Sequence, residues 1–212
     1  GLCVSMGWMD LRVNFRDPGY EWKEDLTTGL AAAARGGFTR VALSPDTLPP
    51  VDSKSGVEYA LNRSKTKRAG VVPIGALSKG LKGLELSEMY DMFLAGAPAF
   101  GDDKRSLNET GLLHRALLYT QPFGAVVFHF PHDPTLVSGA QINEGRQSIL
   151  LGMKGIPTIA EEMVVQRDLT LLSHAGGRLH IGPLSSAGSV RMIQAAKDRG
   201  LNVTCEVSAG QL

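Results

Sequence analysis

The side chains whose types and spacing could do chemistry fall into a few groups. Arg12 and Asn14 stand two apart in the β-rich run Met9–Phe15, and Arg16 follows in Arg16-Asp17-Pro18-Gly19. Alternate residues of a strand point to one side, so Arg12 and Asn14 share a face. Asp102 and Asp103 are adjacent carboxylates that either ligate a cation or serve as a solvated loop or helix-cap pair. His129 and His132 either build a site of their own or stand as ordinary rim histidines, and His180 reads as packed and hydrogen-bonded. Asp46, in Pro45-Asp46-Thr47, is a turn residue before Pro49 on the plain reading.

Other motifs carry less. Leu77–Gly83 lacks the spacing of a phosphate loop and reads as a solvated loop. The basic run Arg63-Ser64-Lys65-Thr66-Lys67-Arg68 ends a helix, where cations meet the dipole favourably. No serine sits in a nucleophile elbow, and Cys205 reads as inert core within a strand.

The elements that must position these groups alternate. Strands are expected at Met9–Phe15, Thr39–Ser44, Gly70–Leu77, Pro98–Gly101, Ala125–Phe130, Arg178–Leu184 and Asn202–Val207. Helices are expected at Lys23–Arg35, Lys54–Lys65, Leu84–Ala95, Glu109–Thr120, Ile156–Ala175 and Ala187–Arg199, several closing on glycine. Such alternation implies parallel strands joined by right-handed crossovers. About seven strands approach a (β/α)8 barrel, which needs about 250 residues; the open doubly wound sheet is the rival. An unclosed barrel leaves an edge exposed, so either the polypeptide is longer or something else fills that edge.

Composition narrows the function classes. Hydrophobic residues make up 43% of the 212, enough for a sizeable core. A net charge of +1 gives no electrostatic case for nucleic acid or an anionic membrane. No apolar run reaches the ~18 residues of a membrane span. Cys3 and Cys205 are too few for a disulfide framework, which favours a reducing, cytoplasmic setting. The N-terminus has neither a positively charged leader nor an initiator methionine, so the expectation is a start after processing or inside a longer chain.

Met9-Asp10-Leu11-Arg12-Val13-Asn14-Phe15-Arg16-Asp17-Pro18-Gly19 resembles the opening strand of the dihydroorotase family, Asp-x-His-x-His-x-Arg-Asp-Pro-Gly. Further blocks follow that family in order: Gly19–Leu26, Ala31–Thr39, Phe100–Asp103, Ile156–Glu162 and Ser185–Ser189. The resemblance spans nearly the whole chain. It implies a (β/α)8 TIM barrel of the metal-dependent hydrolase type, incomplete here, over residues 9–212. Residues 1–8 would then be the linker from a missing β-sandwich, and the C-terminal part of the barrel is absent.

The resemblance also implies a site. A dihydroorotase interconverts dihydroorotate and carbamoyl aspartate with a metal-activated water. All four of the family's metal histidines are replaced, by Arg12, Asn14, Phe130 and Pro183. Asp102 and Asp103 keep the acidic ligand position, Arg16 keeps the substrate-carboxylate arginine, and Asp46 stands where a substrate-touching Asn belongs. His129 is one residue off the ligand position, hence on the opposite strand face unless the strand bulges. Arg16 either holds a substrate carboxylate or pairs on the surface with Asp17 or Glu21. The guanidinium of Arg12 could replace the cation's charge beside Asp102 or Asp103.

The expectation is therefore a dihydroorotase-like protein of pyrimidine biosynthesis without metal hydrolysis, structural or regulatory in role. No cofactor is expected. Dihydroorotate or carbamoyl aspartate is the expected ligand, and a second copy or aspartate transcarbamoylase the expected partner. The alternative is an active cyclic amidase with zinc in an altered site built on His129, His132, Asp102 and Asp103.

Overall fold

The computed structural model describes residues 4–65 and 67–211. Cys3, Thr66 of the basic run and Leu212 lie outside the described residues. The chain divides into two compact units, one ending at Asp103 and the other beginning at Lys104.

The first unit runs β1 (Trp8–Val13), α1 (Leu26–Arg35), β2 (Phe38–Leu43), α2 (Lys54–Ser64), β3 (Gly70–Gly75), α3 (Met89–Leu94) and β4 (Ala99–Phe100). Its strands are parallel in the order β1-β2-β3-β4, each pair joined by one helical crossover. Val41, Ala42 and Leu43 are buried in succession, the mark of a strand covered on both faces. Leu26 and Leu30, one helical turn apart on α1, pack with Val41, Leu43, Ala60 and Ala69, and Phe15 closes against them. Burying each leucine contributes about 1.5–3 kcal/mol. Gly29 is required here, because a Cβ at that position would lie 2.4 Å from the Phe15 ring.

Helix α1 begins three residues later than its apolar pattern suggests. Asp25 caps it, accepting the N–H groups of Thr27 and Thr28 at 2.7 Å each. Helix α3 starts at Met89 rather than Leu84, since Glu85 and Leu86 are engaged by Lys79 and Ser78 in a turn. That turn corrects the solvated reading of Leu77–Gly83: Ser78 is fully buried.

The second unit runs α4 (Thr110–Thr120), β5 (Val126–His129), β6 (Ile142–Asn143), α5 (Arg146–Leu150), β7 (Gly155–Ile156), α6 (Ile159–Ala175), β8 (Leu179–Leu184), α7 (Ala187–Asp198) and β9 (Val203–Val207). Strands β5, β8 and β9 are parallel neighbours in that order, while β6 and β7 form a separate small pair. The core holds Leu112, Leu113 and Leu117 of α4 with Val165, Leu169 and Leu172 of α6, beside Val127, Leu179 and Ile181. The β6-α5-β7 excursion was not anticipated. Ile156 belongs to β7 and Pro157 intervenes, so α6 starts at Ile159.

Among the described residues, β1 to β4 in one unit and β5, β8 and β9 in the other are the seven expected strands, and they alternate with helices as expected. Gly37, Gly176 and Gly200 follow α1, α6 and α7 at φ of 85°, 71° and 84°. Cys205 is free and partly buried in β9, not in the core. Among the described residues no helix is long and apolar enough to cross a membrane.

Candidate functional site

In the first unit the polar groups gather at the C-terminal ends of the strands. Arg12 on β1 reaches past β4: its Nη1 donates to the Asp103 carbonyl at 3.1 Å and lies 4.0 Å from the Asp103 carboxylate. Both side chains are largely buried, 15% and 7% exposed, so the charges are poorly screened by solvent. Asp103 holds a left-handed backbone at φ 56°.

Asp102 does a different job from its neighbour. Its Oδ1 accepts the N–H groups of Leu77 and Ser78 at 2.9 Å each, and its Oδ2 accepts the Ser78 hydroxyl. The carboxylate ties the loop after β3 to the end of β4. Neither aspartate is solvated, which corrects the bland sequence reading of the pair.

Arg16 also has a left-handed backbone, φ 60°, and its Nη1 lies 3.6 Å from Asp46 Oδ2. Of the two readings of Arg16, a part-exposed ion pair is present, with Asp46 as its partner in place of Asp17 or Glu21. Asp17 is buried and taken by Tyr59 at 2.7 Å, Leu26 N at 3.2 Å and Arg63 at 3.8 Å. The basic residue closing α2 thus serves an ion pair as well as the helix dipole. Hydrogen bonding to Asp17 is also the leading cause that raises the Tyr59 hydroxyl's pKa. Asn14 leaves its Oδ1 buried without a hydrogen-bond partner among the described residues.

In the second unit, Phe130 and Pro183 stand at the ends of β5 and β8. With Pro131, His132, Ile156, Glu161 and Ser185 they line a cavity of about 190 Å³. Phe130 stacks on His132, ring centres 5.2 Å apart. The Glu161 carboxylate is consumed by Ser185 N and Oγ at 2.8 and 2.7 Å and by Ser186 N at 3.0 Å.

His129 is 2% exposed and both its ring nitrogens are engaged. Leu107 N donates to Nε2 at 2.9 Å, so the ring proton sits on Nδ1, facing Asp168 Oδ2. Arg167 clamps Asp168 Oδ1 through Nε and Nη2 at 3.0 and 2.8 Å, and reaches Leu107 O at 2.9 Å. Sequence reasoning missed Arg167 and Asp168, because adjacent charged residues within a helix carry no signal of a buried partner. His180 is packed as expected, bonded to Thr204 at 2.8 Å and leaning on Phe128.

A profile of dihydro-orotase-like proteins matches residues 2–189. The chain belongs to the dihydroorotase-like family. Relatives named dihydroorotase include one from Pelotomaculum thermopropionicum, 45% identical over 208 residues, covering 98% of this chain and 49% of that protein. Another, from Ruminiclostridium cellulolyticum, is 44% identical over 207 residues, covering 97% of this chain and 48% of its own. This dihydroorotase-like chain spans about half the length of the curated relatives it matches.

Among solved structures, an L-hydantoinase (dihydropyrimidinase) from Arthrobacter aurescens superposes with a TM-score of 0.77 at 22% identity, over 95% of this chain and 47% of that one. A dihydroorotase from Saccharomyces cerevisiae in complex with 5-fluoroorotic acid gives 0.71 at 14% identity, over 98% and 57%. At such identities the likeness speaks for the fold, the barrel type of the amidohydrolases expected from the sequence.

At the positions that the family resemblance gives to the metal, the residues present do not fit it. Phe130 and Pro183 offer no donor atom, and Arg12 brings a positive charge. The orphaned Asn14 Oδ1 is a neutral oxygen, better suited to a hard cation than to zinc. Asp102 spends its oxygens on three internal donors, and His129 has no free lone pair. Among the described residues no three His, Cys, Asp or Glu side chains converge as a metal-binding group.

Proposed function

We propose that this chain is part of a dihydroorotase-like protein of pyrimidine biosynthesis that has given up metal-dependent hydrolysis and acts as a structural or regulatory homologue. The observation that carries the reading is Arg12, which turns its guanidinium to Asp103 from the strand position that the family resemblance gives to a metal histidine. A fixed cation there balances the carboxylate that a metal would otherwise neutralise, and it activates no water. The donor-free Phe130 and Pro183 support the same conclusion.

Arg16 and Asp46 are the proposed contacts for dihydroorotate or carbamoyl aspartate, with Asp46 competing for Arg16 at 3.6 Å. The proposed setting is the cytoplasm, and the proposed partners are a second copy or aspartate transcarbamoylase. The rival is a working dihydroorotase with a displaced zinc, favoured by the relatives' shared name. Dihydroorotate hydrolysis by the full-length protein, with and without zinc, separates the two. No turnover in either condition is expected; zinc-dependent turnover would overturn the proposal.

A further inference from the structure

Away from the strand ends, helices α4 and α6 bring two histidines together. The rings of His114 and His174 lie with centres 5.3 Å apart, tilted by 31°. We infer that His114 and His174 form a two-histidine chelate for a borderline divalent transition metal such as zinc, nickel or copper.

Three observations carry this. The first is spacing. An ion about 2.0–2.1 Å from each imidazole nitrogen lies roughly 3.2 Å from each ring centre, and a tetrahedral angle then separates the centres by roughly 5 Å. The observed 5.3 Å between ring centres matches that separation. The second is an unmet polar group. His114 Nε2 is buried and has no hydrogen-bond partner among the described residues, a state that costs stability unless something satisfies it. Imidazole suits zinc, nickel and copper.

The third is access and field. His174 is exposed in the last turn of α6, so water can fill the remaining coordination positions. Carbonyl groups at a helix C-terminus bear partial negative charge and favour a cation there. His114 stands on α4 beside the buried Leu113 and Ala116–Leu117, so its backbone is anchored in the core. The site is independent of the strand-end residues and of the proposed function.

The test uses tag-free full-chain protein titrated separately with Zn²⁺, Ni²⁺ and Cu²⁺ by calorimetry, with Cu²⁺ electron paramagnetic resonance to count nitrogen ligands. One equivalent and two nitrogens are expected. His114→Gln and His174→Gln each weaken binding by about tenfold or more, and the double variant is no worse than either single one. Arg115→Gln, at an exposed neighbour on α4, leaves affinity unchanged. His174→Gln alters an exposed residue, so a loss of binding there with an unchanged melting curve reports on the ligand and not on folding. Absence of binding, or full affinity in both single variants, overturns the inference.

Discussion

At the residue scale, the proposed loss of metal chemistry turns on one strand end. Arg12 supplies a permanent positive charge beside Asp103, whereas a histidine would have offered a lone pair. Arg12→Ala therefore leaves a nearly buried carboxylate short of its guanidinium, and the expected loss in urea unfolding is about 1–3 kcal/mol. An unchanged midpoint would show that Arg12 is not what balances Asp103. Arg16 and Asp46 make a second pair, more open to solvent. Freeing Arg16 by Asp46→Asn is expected to tighten carbamoyl aspartate binding by up to about fivefold, the worth of a part-exposed ion pair of ~1 kcal/mol. Arg16→Ala is expected to abolish that binding; calorimetry showing equal affinity in all three proteins would remove both residues from any ligand role.

Asp25 gives a residue-scale prediction for pH. The Thr28 backbone N–H and hydroxyl hold its carboxyl below the ordinary carboxylate range. A depressed folded pKa means that the stabilisation is present above the unfolded pKa and drains away as pH falls through the folded one. Asp25→Ala should therefore melt earlier than the parent at neutral pH, with the gap closing on acidification. A gap that persists into strong acid would place the cap's contribution elsewhere.

At the scale of elements, α6 matters more than its sequence suggests. It carries Asp168, fully buried between the His129 ring and the Arg167 guanidinium, and so locks β5 and the Leu107 loop to one helix. Asp168→Ala strips the buried His129 imidazole and the partly exposed Arg167 guanidinium of their shared carboxylate, and about 3–5 kcal/mol of stability should go with it. A loss under ~1 kcal/mol, read from urea denaturation, would mean that the network is ornamental.

The same helix marks where sequence reading stops. The seven strands were legible because each is a short apolar run between glycines, prolines and helical patterns. The caps were partly legible: Gly37, Gly176 and Gly200 announce the ends of helices, but Asp25 hides among other acids as the start of one. The partners of His129 were not legible, since Arg167 and Asp168 are distant in sequence and look like any exposed helical pair. Asp102 and Asp103 were legible as a pair, yet only the loops around Ser78 decide that one staples a turn while the other faces Arg12.

At the scale of the molecule, family membership and chemical capacity are separate questions. The family is fixed by a match over residues 2–189, with relatives 45% identical along almost the whole of this chain. The ability to hold the family's metal depends on a handful of strand-end positions, and function follows the site and not the fold. Arg12 is proposed to take the place of a metal beside Asp103. Zinc anomalous scattering from crystals of the full-length protein grown with zinc tests it most directly. No zinc peak is expected within about 2.2 Å of an Asp102 or Asp103 oxygen, with the Arg12 guanidinium still against Asp103. A zinc peak bound to either aspartate, with Arg12 swung away, would contradict it.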